Sequence, residues 1–249
     1  MPVTNMAITP PMRKPVLNMQ GMATSRQRTP GADHPSAGGK LAIAMNITDR
    51  DGNKIEKFDI NHEKLMHLII VSRDLSEFYH LHPDYEGEGV FRQEAVLPSG
   101  GEYRLFADFK PTGGEQATLS GSVHVSGDEP GNPLVPDTEL TEEVDGTTVS
   151  LSLSTMKAGE ASELTFSFAD AGTNKPVKDL EPYLGAIGHV VIVGEGAEHY
   201  LHVHAENGNG SGPDAVFATT FPEPGTYRIW GQFQRNGKTF IAPFTVKVE

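Results

Sequence analysis

The chain repeats itself, and the repeat sets the fold. Residues 65–82, LMHLIIVSRDLSEFYHLH, and residues 187–204, IGHVVIVGEGAEHYLHVH, carry histidines at the same intervals. His67, His80 and His82 in the first copy match His189, His202 and His204 in the second, with steps of 13 and then 2 residues. A later pair of segments repeats in the same order: VLPSGGEYRLFADF (96–109) and FPEPGTYRIWGQF (221–233), each with a proline five residues before a tyrosine, Pro98 before Tyr103 and Pro222 before Tyr227. A duplicated unit of about 90–100 residues must bury its own core, so 249 residues imply two small domains rather than one large one.

The local pattern is β. Short runs such as LAIAMNI (41–47), VFRQEAV (90–96), ELTFSFA (163–169) and VFATTF (216–221) alternate, and Gly, Pro, Asp and Ser punctuate them. LMHLIIV (65–71) is a nearly continuous apolar run, and HVVIV (189–193) opens the matching stretch of the second copy. No helical period stands out. Six or seven strands per repeat predict an all-β protein of two tandem immunoglobulin-like β-sandwich domains, at 40–126 and 147–249. The Pro/Gly turn ahead of Tyr103 and Tyr227 reads as a tyrosine corner, and Phe106 and Trp230, at matching positions, are expected to pack in the core. Residues 127–146 are acidic and proline-rich and read as a linker. Residues 1–39 read as a mostly disordered tail with five of the eight methionines, thioethers that suit Cu(I) but that in a flexible tail are more simply incidental.

Composition removes several chemistries. With no cysteine there is no disulfide, thiolate zinc site, iron–sulfur cluster, cysteine nucleophile or blue-copper centre. The net charge is −13, and the basic excess of the first 40 residues leaves −17 on the rest, which repels nucleic acid and anionic lipid. No run approaches the roughly 18 apolar residues of a membrane span, and no secretory h-region is visible after Met1.

In a strand, residues i and i+2 share a face. His202 and His204 therefore point one way, and Leu201 and Val203 point the other, toward the core. A two-residue type II′ turn at Gly196-Ala197 pairs Glu195 with Glu198, Val191 with His202 and His189 with His204. The same register in the first copy pairs His67 with His82 around Asp74-Leu75. Three imidazoles then converge in each repeat, a neutral donor set that suits Cu(II), Zn(II) or Ni(II). Met66, next to His67, adds a sulfur only if the backbone bends. His34, His62, His124 and His199 are expected to be solvated. The competing expectation is that the repeated histidines are packing or surface residues.

The second repeat resembles a known group. KPVKDLEPYLGAIGHVVIV, EHYLHVH and FPEPGTYRIWGQFQRNGK (175–238) are similar to small immunoglobulin-like domains of bacterial envelope proteins, the YtkA-like and FixH-like domains. The first repeat, with INHEK in place of PYLGA, is similar more weakly. The resemblance implies an envelope location, periplasmic or extracellular, near copper or heavy-metal handling. The resulting expectation is a non-catalytic protein that binds copper, or else zinc, with one histidine triple per repeat, in metal tolerance or delivery, with another envelope protein as a further partner. The alternative is a structural or protein-interaction module of two immunoglobulin-like domains. An enzyme is not expected: no G-x-S-x-G motif appears, and no carboxylate keeps its place in both histidine motifs.

Overall fold

A computed structural model of the chain describes residues 15–23, 35–203, 205 and 210–249, with the side chains of 15–23 and of His202 left aside. Among these residues the regular structure is strand, apart from one 3-10 turn at Glu195–Ala197. The first repeat contributes β1 (Pro15–Ala23), β2 (Lys40–Asp49), β3 (Phe58–Asp59), β4 (Met66–Ser72), β5 (Phe78–Leu81), β6 (Asp84–Gly87), β7 (Val90–Val96), β8 (Gly101–Pro111) and β9 (Ala117–Val125). The second contributes β10 (Thr141–Val144), β11 (Thr147–Leu153), β12 (Ala161–Asp170), β13 (Leu180–Glu181), β14 (His189–Gly194), β15 (Glu198–Val203), β16 (Asp214–Thr220), β17 (Gly225–Arg235) and β18 (Lys238–Val248). By compactness the chain divides into two units, Met1–Ile69 with His80–Gly100 and Leu105–Gly127, and Ile70–Tyr79 with Gly101–Arg104 and Asp128–Glu249.

Each repeat folds as two sheets. The first has β1-β2-β7-β6 and β3-β8-β4-β5, with β9 beside β8. The second has β10-β11-β12-β16 and β13-β17-β14-β15, with β18 beside β17. The architecture is the expected pair of immunoglobulin-like sandwiches. In the second, Val149, Leu151, Phe166 and Phe217 of one sheet meet Val190, Ile192, Ile229 and Phe233 of the other in a single core. In the first, Phe58 bridges Phe91 on β7 and Phe109 on β8, at ring separations of 4.9 and 5.6 Å.

The strand order places strands inside two stretches read as tail and linker. β2 pairs with β7 as β12 pairs with β16, so β2 matches β12, and β1 takes the place of β11. The first sandwich thus draws a strand from the stretch read as tail; residues 1–14 and 24–34 lie outside the described residues, as does any copper-binding role for the tail methionines. Another strand lies within 127–146. Asp145 and Gly146 both take left-handed conformations (φ 48° and 73°) and close a two-residue hairpin, Val144 opposite Thr147, that makes β10 part of the second sandwich. Upstream, Asp137 N–H donates to Thr245 O (2.9 Å), and Thr245 N–H donates to Asp137 Oδ2 (2.6 Å).

β12 alternates between buried and exposed residues, whereas β4 and β14 are buried at every position. These fully covered strands carry the first histidine of each triple. Trp230 corrects a packing expectation. It is 3% exposed, yet Tyr227, Ile229 and Phe233 are the β17 residues in the core cluster, and Trp230 lies on the opposite face. There it stacks on Phe78, also within the second unit, at 4.7 Å.

Glycine makes room for the core rings. A Cβ on Gly231 would sit 2.7 Å from both Phe166 and Phe233, and one on Gly188 would run into the Phe233 ring. Gly231→Ala should therefore destabilise the second sandwich by about 1–3 kcal/mol, the range for overpacking. The check is urea unfolding: a lower midpoint with an unchanged slope is expected, and a variant as stable as the parent would show that Phe233 moves aside freely.

Candidate metal centre

β4 supplies His67, β5 supplies His80, and His82 follows one residue past the end of β5. β4 lies between β8 and β5. Ser72 N–H donates to Glu77 O (3.2 Å) at the top of this hairpin, and the same pairing carried down the strands sets His67 across from His82. The rings meet accordingly: centroids are 5.1 Å apart for His67–His80, 5.1 Å for His67–His82 and 4.8 Å for His80–His82. One ring nitrogen from each lies within 4.8 Å of the others. His67 is 1% exposed; His80 and His82 are half-buried.

The turn is held by a carboxylate. Leu75 is buried with φ 58°, a conformation unusual for a branched side chain. Asp74 supports it: Oδ1 accepts from Ser72 Oγ (2.7 Å), Ser76 N–H (3.1 Å) and Ser76 Oγ (2.7 Å), and Oδ2 accepts from Asn132 N–H (3.0 Å). Partial burial would raise its pKa, but these hydrogen bonds prevail and bring it down to about 2.

Hydrogen bonding assigns the His67 tautomer. Nε2 lies 3.0 Å from Asn61 O, which can only accept, so Nε2 carries the proton. In the neutral ring Nδ1 then holds the lone pair and accepts from His80 Nε2–H at 2.9 Å. A ring N–H fixed on a backbone carbonyl, with the other nitrogen turned inward, is the usual posture of a metal-ligating histidine. Nitrogens about 2.0–2.1 Å from an ion sit roughly 2.9 Å apart at a right angle and roughly 3.4 Å apart at a tetrahedral one, so His67 and His80 need little movement to share one. His82 Nε2 is buried and has no hydrogen-bond partner among the described residues. Such an atom calls for a ligand, an ion or an ordered water. Burial, then the charges that His67 and Lys64 can carry, depress the His82 pKa to about 4. Its ring is therefore a neutral donor at physiological pH. Met66 is 1% exposed and on the other face of β4 from His67, so its sulfur is not part of the set.

In the second repeat, Val191 lies opposite His202 and Val190 opposite Val203, as the sequence predicts. Val203 joins the core, with Leu201 packed against it. The turn differs. Gly194, not Glu195, faces Glu198; Glu195–Ala197 form the 3-10 turn, and His199 (φ 50°) forms a bulge before Val193 meets Tyr200. The longer loop avoids opposing two glutamates, and the bulge restores the register below it. His189 is 4% exposed, with the Tyr183 ring edge-on at 5.6 Å. His204 and the His202 side chain lie outside the described residues, so convergence is seen for the first triple alone.

Of the histidines expected to be solvated, His124 is exposed, and His199 is exposed with Nε2 3.6 Å from Glu223. His34 is outside the described residues. His62 departs from the expectation: it is half-buried, with its ring 6.1 Å from that of His67. Asn61, the partner of His67, was not singled out by the sequence either; its place in the turn before β4 was the available signal. The tyrosine corner holds in the second repeat, where Tyr227 OH donates to Glu223 O (2.8 Å). In the first, Tyr103 OH donates to Glu77 Oε2 (2.8 Å).

Two tandem immunoglobulin-like β domains, the first with a buried histidine cluster, define the class of protein. The chain belongs to the family described as Domain of unknown function (DUF8832), whose model matches it twice, at residues 26–127 and 142–249. No match is found among curated proteins. Among solved structures the chain is similar to FdeC, an Escherichia coli adhesin, at 19% identity over 94% of this chain and 66% of that one, with a TM-score of 0.30. It is also similar to invasin, a bacterial integrin-binding protein, at 13% identity over 93% of this chain and 39% of that one, TM-score 0.26. A third is a tandem pair of titin immunoglobulin domains, at 12% identity over 87% of this chain and 91% of that one, TM-score 0.22. The chain thus spans less than two-thirds of the FdeC and invasin chains.

Removing a proton acceptor from water has a pH signature. The unfolded His82 ring takes up a proton near its ordinary value of 6.5, and the folded ring only near 4. The metal-free protein should therefore keep the His82 contribution to stability above about pH 6.5 and lose it as pH falls toward 4. Urea unfolding of the metal-free chain across this window should show the decline, and His82→Gln should flatten it; equal slopes for both proteins would contradict the assignment.

Proposed function

We propose that this is a non-catalytic metal-binding protein and that His67, His80 and His82 hold a divalent transition metal, copper before zinc. The observation that carries this reading is the buried, unpartnered His82 Nε2 in a cluster where His67 is already oriented by Asn61 O. Three neutral nitrogens with no thiolate suit Cu(II) and tolerate Zn(II). The repeated spacing extends the reading to His189, His202 and His204. On the resemblance of residues 175–238 to YtkA-like and FixH-like domains, we place the protein in the periplasm or outside the cell, in metal tolerance or delivery, with another envelope protein as the recipient. Among the described residues no helix is long and apolar enough to cross a membrane.

A second reading has its own support. His67 is fully buried, and its two ring nitrogens bond to Asn61 O and His80, as a packing histidine would. On that reading the chain is a tandem interaction module and the triple is part of its architecture.

Calorimetric titration of the metal-free chain with Cu(II) and with Zn(II) separates the two. Submicromolar binding that loses one equivalent in His80→Ala, a half-exposed position whose loss should spare the fold, is the expected result. An unchanged stoichiometry in that variant, or no binding by the parent, would favour the interaction module.

A further inference from the structure

We infer that Asp108 is the positioning carboxylate of the first-repeat site and makes it selective for a doubly charged ion. This rests on the metal reading above and adds a residue that the histidine spacing does not reveal.

The placement comes from sheet register. Arg73 N–H donates to Glu102 O (3.0 Å), which fixes β4 against β8. The same pairing continued along the two strands sets His67 opposite Asp108. The second repeat shows this pairing residue by residue, with His189 opposite Gln232 and Gly194 opposite Tyr227. Asp108 and Gln232 each stand five residues after the corner tyrosine, Tyr103 or Tyr227. Directly opposed residues share a face, with Cβ atoms about 4.5–5.5 Å apart. One row of the sheet therefore runs Asp108, His67, His82.

Asp108 is 1% exposed, an unusual place for a carboxylate. Its Oδ1 accepts from Gln116 Nε2 (2.5 Å) and Thr118 Oγ1 (3.4 Å). Gln116 Oε1 accepts in turn from Asn61 Nδ2 (3.3 Å), and Asn61 O receives the His67 Nε2 proton. The chain Asp108–Gln116–Asn61–His67 links the carboxylate to the back of the metal-facing ring. Three neutral imidazoles leave both charges of a divalent ion uncompensated in a largely buried site; a fixed carboxylate one strand away offsets part of that charge without occupying a coordination position. Asp108 is outside the cluster of candidate ligands, as that role requires. The second repeat has a neutral amide, Gln232, at the same place.

The test uses the full chain with the His202→Ala substitution, so that binding reports on the first repeat. Asp108→Asn keeps size and removes charge, and Asp108→Gln carries the side chain that the second repeat accommodates at this place, a fallback if the first variant folds poorly. Each is titrated with Cu(II) and with monovalent Ag(I). The expected result is a loss of about 10–100-fold in Cu(II) affinity, the usual range for an outer-shell partner, with Ag(I) affinity nearly unchanged. Equal losses for both ions would mean that Asp108 only supports the fold, and no loss would remove it from the site; either overturns the inference while leaving the metal reading intact. Failure of the His202→Ala parent to bind Cu(II) would overturn the metal reading itself.

Discussion

Pairing register in the two histidine hairpins is the constraint on which the candidate site depends. Side chains alternate along a strand, so a slip of one residue would send His67 to the face that holds Met66 and would dissolve the cluster. Two different devices hold the register. In the first repeat, Asp74 gathers the turn N–H and hydroxyl groups and lets Leu75 take a left-handed conformation. In the second, a 3-10 turn one residue longer than a tight hairpin loop is offset by the His199 bulge. Two different turns thus lead into the same pairing, so the register does not depend on one turn type.

The cluster concentrates polar groups where a sandwich would ordinarily place apolar ones. β4 is buried at every position, so His67 must satisfy both ring nitrogens within the protein. It does so with Asn61 O on one side and His80 on the other. His82 then has no hydrogen-bond partner for Nε2 among the described residues, and a buried polar atom without one is destabilising by roughly 1–3 kcal/mol. A packing role explains His67 well and His82 poorly. An ion explains both, since it takes the lone pairs of all three rings in place of the His80–His67 hydrogen bond.

Much of this was legible from local sequence. Alternation gave the strands, the repeat gave the tandem sandwiches, and the spacing of 13 and 2 gave the histidine faces. The Asp145-Gly146 turn was equally legible, yet the acidic, proline-rich composition around it masked the β10–β11 hairpin. β1 was harder, because PVLNMQGMA lacks a clear apolar alternation and sits among residues of tail-like composition; the β1–β2–β7 pairing reveals it only once the order β11–β12–β16 is known. Trp230 misled for a different reason. Matching large aromatics at Phe106 and Trp230 suggest a core, but the face opposite the core of this sheet is also covered, and hydrophobicity does not distinguish the two. Asp108, Asn61 and His62 lay beyond reach because their roles come from contacts across strands and turns, which spacing along one hairpin does not encode.

The two repeats also serve as a comparison with each other. The turn before the first histidine is kept in form: Asn61 and Lys64 exchange backbone hydrogen bonds (2.8 and 3.1 Å), as do Tyr183 and Ala186 (2.8 and 3.2 Å). Its chemistry is not kept. Tyr183 and Leu184 stand where the first repeat has Asn61 and His62, and Gln232 stands where it has Asp108. The backbone frame that presents the imidazoles is therefore common to both halves, whereas the polar groups around them belong to the first. At these places the first repeat has an amide, an imidazole and a carboxylate, and the second a phenol, an aliphatic side chain and a neutral amide, so the negative charge and the extra imidazole belong to the first copy. Such a difference is what two sites of unequal strength would show, the first better furnished for a divalent ion than the second.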